Sequence, residues 1–176
     1  PPYDIISEEQ RQAFLAKNPH NIIRLELPRS GEDPYAEAGG VLRQWIKEDI
    51  LRQDQQAALY AYEIEFTVPH SAEPLTVAGL VAQVKLEPFS KGVVLPHEET
   101  LSKAKADRFE LMKATDCNFS DIYSLYMNNG KIPAVSDLVA GQQPIIEVTD
   151  QDGLVHRMWA ITDPAVIIVN DKYAKS

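Results

Sequence analysis

The chain has 176 residues, of which 44% are hydrophobic, enough for one well-cored domain. Its 17 basic and 26 acidic residues give a net charge of -9 without any long basic run, so a nucleic-acid surface is not expected. The single cysteine, Cys117, excludes an intramolecular disulfide and a cysteine-built zinc site. No apolar run approaches the ~20 residues that span a bilayer, and no signal peptide is visible, so no membrane partner and a cytoplasmic location are expected.

The chain begins at Pro1. It is therefore read as a fragment, and residues 1–176 are expected to form one α/β domain. Pro1 and Pro2 set an extended start. Ser7-Glu8-Glu9-Gln10 has the form of a capping box, and a helix is expected to run to about Lys17, with Phe14 inward and Asn18-Pro19 as its stop. Ile22 to Leu27 alternates and predicts a strand, with Ile23, Leu25 and Leu27 on one side. Asp33-Pro34 is a helix start. Tyr35, Ala38, Leu42, Trp45 and Ile46 then recur at helical spacing. Gly39-Gly40 weakens that helix by roughly 1 kcal/mol per glycine relative to alanine, unless it allows close packing against the sheet.

From Leu59 to Val68 the residues alternate, with Tyr60, Tyr62, Ile64 and Phe66 on one face. Leu75 to Leu86 predicts a partner strand, and the two form an expected antiparallel hairpin. A helix is expected from Thr100 to about Thr115, with Leu101, Ala104, Leu111 and Met112 near one face. Asn118 to Asn129 is ambiguous. Alternation of Tyr123, Leu125 and Met127 favours a strand over a helix capped at Ser120-Asp121. A short helix is expected over 133–139. A second hairpin joins Ile145–Val148 to Leu154–Ile161 across Asp150-Gln151-Asp152-Gly153, and Thr162-Asp163-Pro164 marks a further helix start. The fold class is α/β (α+β), a mixed, mostly antiparallel sheet with helices packed against it.

The densest cluster of chemistry is Leu95-Pro96-His97-Glu98-Glu99-Thr100, followed by Asp107-Arg108. Carboxylates before a helix are ordinary partners of its positive end, and Thr100 is a possible cap. The functional reading places His97 and Glu98 as an acid/base pair, since an imidazole moves a proton near neutral pH. The spacing is not that of a zinc protease, and no metal site is assigned. Arg108 lies in line with Leu101 and Ala104. It either closes an internal salt bridge with Asp4 or Glu98, or offers a planar fork to a substrate carboxylate or phosphate. Asp4 is either a held carboxylate or the start of an Asx turn toward Ser7. Arg24 and Arg29 are within reach of a shared anion. Phosphate-loop, dinucleotide-glycine and nucleophile-elbow signatures are absent.

The order of several short motifs resembles the domain of unknown function 1015 family. They begin with Pro1-Pro2-Tyr3-Asp4-Ile5-Ile6-Ser7, Asn18-Pro19-His20-Asn21 and Arg24-Leu25-Glu26-Leu27-Pro28. Tyr35 and Trp45 follow, then Tyr60-Ala61-Tyr62, His97-Glu98-Glu99-Thr100, Asp107-Arg108, Asn118 and Val155-His156-Arg157-Met158-Trp159. The likeness covers nearly the whole chain. It implies a longer protein carrying an Asp-Gly-His-His-Arg motif after the segment matching Trp159. That motif is similar to one in free-serine kinases of the ParB-like class, which transfer a phosphoryl group to a small amino acid.

Two functions are carried forward. In the first, the chain is part of an enzyme acting on a small anionic metabolite or nucleotide. His97 and Glu98 are then catalytic, while Arg108, Asp4 and Thr100 bind substrate; the C-terminal part of the same chain is the expected partner. In the second, it is a non-catalytic regulatory or interaction domain, and the polar cluster is structural.

Overall fold

The computed structural model describes residues 3–70, 73–96, 99–126 and 133–166. Over these the protein is α+β, with helices and one four-stranded antiparallel sheet. The chain divides into two units: Pro1–Gln53 with Leu95–Tyr123, and Asp54–Val94 with Ser124–Ser176.

The first unit is helical. Helix α1 (Glu8–Lys17) starts on the expected capping box: Gln10 N–H donates to Ser7 Oγ at 3.2 Å, and Ser7 N–H donates to Gln10 Oε1 at 2.9 Å. Helix α2 (Ile23–Glu26) occupies the stretch expected to be a strand. Its alternation has another origin. Ile23 and Leu27 pack with Ile6, whereas Leu25 enters a separate cluster with Leu42 and Trp45. One helical turn thus serves two apolar clusters, and period-two burial results without a sheet. Helix α3 (Pro34–Lys47) has Asp33 as its cap, accepting from Ala36 N–H at 3.0 Å, with Pro34 in the first turn.

Helix α4 (Ser102–Thr115) buries Leu111 and Thr115. Leu101, Phe109 and Met112 are exposed, contrary to the expected apolar face. The half-buried positions are Ala104, Asp107, Arg108 and Ala114. The reason is the close approach of α3. A Cβ on Gly39 would lie 2.6 Å from the Ala114 carbonyl oxygen, so the glycine admits this neighbour and not the sheet. Cys117 packs half-buried against the Leu25 cluster. Residues 118–126 form no strand, Tyr123 and Leu125 being exposed; the rest of the expected strand, from Met127 on, lies outside the described residues.

The second unit holds the sheet, in the order β2-β1-β4-β3. The strands are β1 (Leu59–Phe66), β2 (Leu75–Val81), β3 (Ile146–Thr149) and β4 (Val155–Ile161). Strand β2 is shorter than expected, since Val84 and Leu86 lie exposed beyond it. All three pairings are antiparallel, with Tyr62 opposite both Gly79 and Met158, and Arg157 opposite both Glu63 and Glu147. One sheet face carries Ala61, Trp159 and Ile161, packed with Val135, Leu138 and Val139 in and beside helix α5 (Val135–Leu138). Further along that face Arg157 donates to Glu147 at 2.8 Å, Glu65 at 2.9 Å and Glu63 at 3.1 Å. The Glu147 bond and then those to Glu65 and Glu63 hold its guanidinium still more firmly protonated than usual. Residues 164–166 are helical, as the Asp163-Pro164 signal suggests.

The two glycines of α3 should therefore respond in opposite directions. Gly39→Ala is expected to lose about 1–3 kcal/mol in urea denaturation through the clash with Ala114. Gly40→Ala, where an added Cβ meets nothing within 4 Å, is expected to gain up to about 1 kcal/mol.

Candidate functional site

His97 and Glu98 lie outside the described residues. Of the remaining candidates, Arg108 sits in a built polar chain within the first unit. Its Nε and Nη2 donate to Asp107 Oδ2 at 3.0 and 2.6 Å, and the guanidinium lies 3.7 Å from the Tyr3 ring centroid. Asp107 in turn accepts at Oδ1 from the Tyr35 hydroxyl at 2.8 Å. Four residues from three separate segments thus form Tyr35–Asp107–Arg108–Tyr3. Among the described residues the carboxylate on Arg108 is Asp107 and not Asp4; Glu98, the other partner expected, lies outside them. Asp4 is exposed, in the 3-10 turn Tyr3–Ile5 beside the stacked tyrosine. Thr100 is exposed ahead of α4, whose N-cap position is Leu101 without a side-chain cap bond.

The electrostatics of the chain follow from its partners. Burial pushes the Asp107 carboxyl upward, but hydrogen bonds from Arg108 and Tyr35 outweigh it and leave the group below the ordinary aspartate value. The Tyr35 hydroxyl is raised, chiefly because it donates to Asp107 and also because it is partly buried. Among the described residues Asp107 is the only acceptor of Arg108, through the Nε–Nη2 edge, and the Arg108 side chain is 22% exposed. Beside the chain an open groove of about 310 Å³ runs between the start of α3 and the later turns of α4. Asp33, Tyr35, Glu110 and Lys113 line it with the methyl groups of Ala36 and Ala114. Its wall therefore presents both signs of charge and a tyrosine.

Arg24 and Arg29 are held by different protein groups. Arg24 Nε donates to the Pro19 carbonyl at 2.7 Å, and Arg29 pairs with Glu8 at 3.0 Å. Glu8 also takes Arg11, a buried arginine whose Nε donates to the Leu27 carbonyl at 2.9 Å. Sequence reasoning passed over Arg11 because its position on an exposed-looking helix gives no sign of burial. His20, a loop residue in sequence, packs edge-on to Trp45 with ring centroids 5.6 Å apart.

A second polar chain, in the sheet unit, also escaped the sequence reading. The Tyr62 hydroxyl lies 2.7 Å from His156 Nδ1, and His156 Nε2 lies 3.2 Å from Asp150 Oδ2. Asp150 also accepts the N–H groups of Leu154 and Asp152, both at 2.9 Å, at the hairpin turn. Its carboxyl is held below the ordinary range, mainly by the Leu154 N–H. Alternation alone assigns a face to Tyr62 and to His156; only strand register joins them. Among the described residues no group of three His, Cys, Asp or Glu side chains is placed to hold a metal ion, and no helix is long and apolar enough to cross a membrane.

The chain belongs to the family described as protein of unknown function (DUF1015), whose sequence profile matches residues 1–171. No curated protein and no solved structure matches it.

The Tyr35–Asp107 bond should contribute to stability within a defined pH window. A lowered carboxyl contributes above the ordinary aspartate value of 3.8 and loses that contribution as pH falls through its folded value. A raised tyrosine contributes below the ordinary value of 10.0 and loses it as pH rises through its folded value. Tyr35→Phe is therefore expected to lower the melting temperature most near neutral pH, at a cost of about 1–3 kcal/mol for a bond to a charged acceptor. The difference from wild type should shrink at both pH extremes in thermal melts.

Proposed function

We propose that this DUF1015 chain is part of a cytoplasmic enzyme acting on a small anionic metabolite or nucleotide. The form we favour is phosphoryl transfer to a small amino acid. In this reading His97 and Glu98 are the acid/base pair, Arg108 clamps the anion, and Asp4 and Thr100 border the substrate. The observation that carries it is the bracing of Arg108. Tyr3 supports one face of the guanidinium and Asp107 holds one edge. A planar fork fixed in this way loses little freedom when it receives two oxygens of a phosphate or carboxylate. The adjacent groove carries both signs of charge, with Lys113 donating to Glu110 at 3.4 Å and Asp33 capping α3. Phosphoryl transfer depends on charge clamps and a positioning base, and this residue set is of that kind.

A second reading rests on the same chain of bonds. Asp107 already neutralises Arg108, which is what a structural network in a regulatory or interaction domain requires. Calorimetric titration with inorganic phosphate and with an adenosine nucleotide separates the two. The enzyme reading expects wild-type binding, an affinity loss of about tenfold or more in Arg108→Ala, and a smaller loss in Arg108→Lys, which keeps charge but not the fork. Unchanged affinity in Arg108→Ala removes this residue from the site. A large drop in melting temperature for Arg108→Ala, with no thermal shift from either ligand in the wild type, favours the structural network.

A further inference from the structure

The sheet unit contains an arrangement that the preceding reading does not use. Asp150 accepts only, so the hydrogen between it and His156 resides on Nε2. A neutral His156 then presents a lone pair at Nδ1, and the Tyr62 hydroxyl donates to it. The two other tyrosines whose bonded partners are described differ in kind. Tyr35 donates to Asp107 and Tyr60 donates to Asp54, and each carboxylate raises its tyrosine. A carboxylate is a poor receiver for a tyrosine proton, whereas an imidazole is a good one. Tyr62 therefore has the relation of nucleophile to base, and Asp150 has that of the group orienting the base.

A second observation concerns access. Gly79 lies directly opposite Tyr62 on β2, so a side chain there would stand on the Tyr62 face beside the ring. Its φ is not in the left-handed region, and an added Cβ would meet nothing within 4 Å. Neither a turn nor a close backbone contact accounts for this glycine, although glycine weakens a strand interior. It leaves an open lane next to Tyr62. Around the lane the face is uncharged: Ile64 on β1, half-exposed Val77 on β2, Met158 on β4 and half-exposed Val148 on β3.

We infer that Tyr62, His156 and Asp150 form a nucleophilic relay that accepts an acyl group from a small, uncharged acyl donor approaching over Gly79. In the step, Tyr62 Oη attacks the carbonyl carbon and forms the new C–O bond. The hydroxyl proton passes to His156 Nδ1, and the imidazolium is stabilised by Asp150. The bond from the carbonyl carbon to the leaving group breaks. The leaving group departs with the electron pair and takes the proton back from His156.

The test uses N-acetylimidazole at neutral pH on the whole chain, with acetylation of each tyrosine followed by peptide mass spectrometry. Half-buried Tyr62 is expected to react faster than Tyr123, which is 74% exposed. His156→Gln should slow Tyr62 by about a hundredfold, the usual scale of a general base, while leaving Tyr123 unchanged. Asp150→Asn should slow it in the same direction. Gly79→Val, which adds a strand-favouring side chain in open space and keeps the relay, should protect Tyr62 alone. Slower reaction of Tyr62 than of Tyr123 in the wild type overturns the inference without any variant having to fold. An unchanged Tyr62 rate in folded His156→Gln or folded Gly79→Val overturns it as well.

Discussion

The contact on which the helical unit depends is the approach of two backbones at Gly39 and Ala114. Any side chain larger than hydrogen at position 39 would intrude on the carbonyl of α4. With α3 and α4 this close, the Tyr35 hydroxyl reaches Asp107, and Asp107 is then fixed on two sides. Arg108 follows, because a guanidinium held by one carboxylate and one aromatic face has little freedom left. A packing constraint without polar character thus orients the polar residues of the candidate site. The loss of one methyl group at position 39 is in this sense part of the electrostatics at position 108.

The sheet unit orders its chemistry differently. Its two faces divide the labour by strand parity. Ala61, Trp159 and Ile161 carry the apolar packing on one side, with the Arg157 cluster further along it. Tyr62 and His156 stand on the other. Neither residue is oriented by a close helix contact. Their geometry comes from register, and the Asp150 hairpin turn supplies the third member. The tyrosine hydroxyl of the helical chain thus meets a carboxylate, Asp107, whereas that of the sheet chain meets an imidazole, His156.

Local signals were legible in the sequence where a few adjacent residues decide the structure. The Ser7–Gln10 capping box, the Asp33-Pro34 start and the Asp150–Gly153 hairpin are of this kind, since the responsible bonds span four residues or fewer. The family resemblance was legible as well, because it rests on the order of short motifs. Ile22–Leu27 was misread because two clusters share a single turn, a fact of tertiary structure that local alternation mimics. The apolar face of α4 was misassigned for a related reason: its partner is a glycine-bearing helix, so small residues lie inward and Phe109 outward. In the candidate site, Arg108 was legible as an arginine on an inward stripe that needs a partner. Its link to Tyr35 was not, since Tyr35 and Asp107 are separated by 72 residues with no shared pattern. Tyr62 and His156, 94 residues apart, were hidden for the same reason.

Arg157 has a consequence for how the sheet assembles. One residue of β4 collects Glu63 and Glu65 from one neighbour and Glu147 from the other. Shifting β4 by a single position would carry the guanidinium through the sheet to the face of Ile64 and Val148. Three carboxylates would then crowd together without a cation, while a charged group met an apolar surface. The penalty falls on both faces at once and is the same for slippage in either direction. The arginine therefore favours one alignment of β4 against both of its neighbours at once.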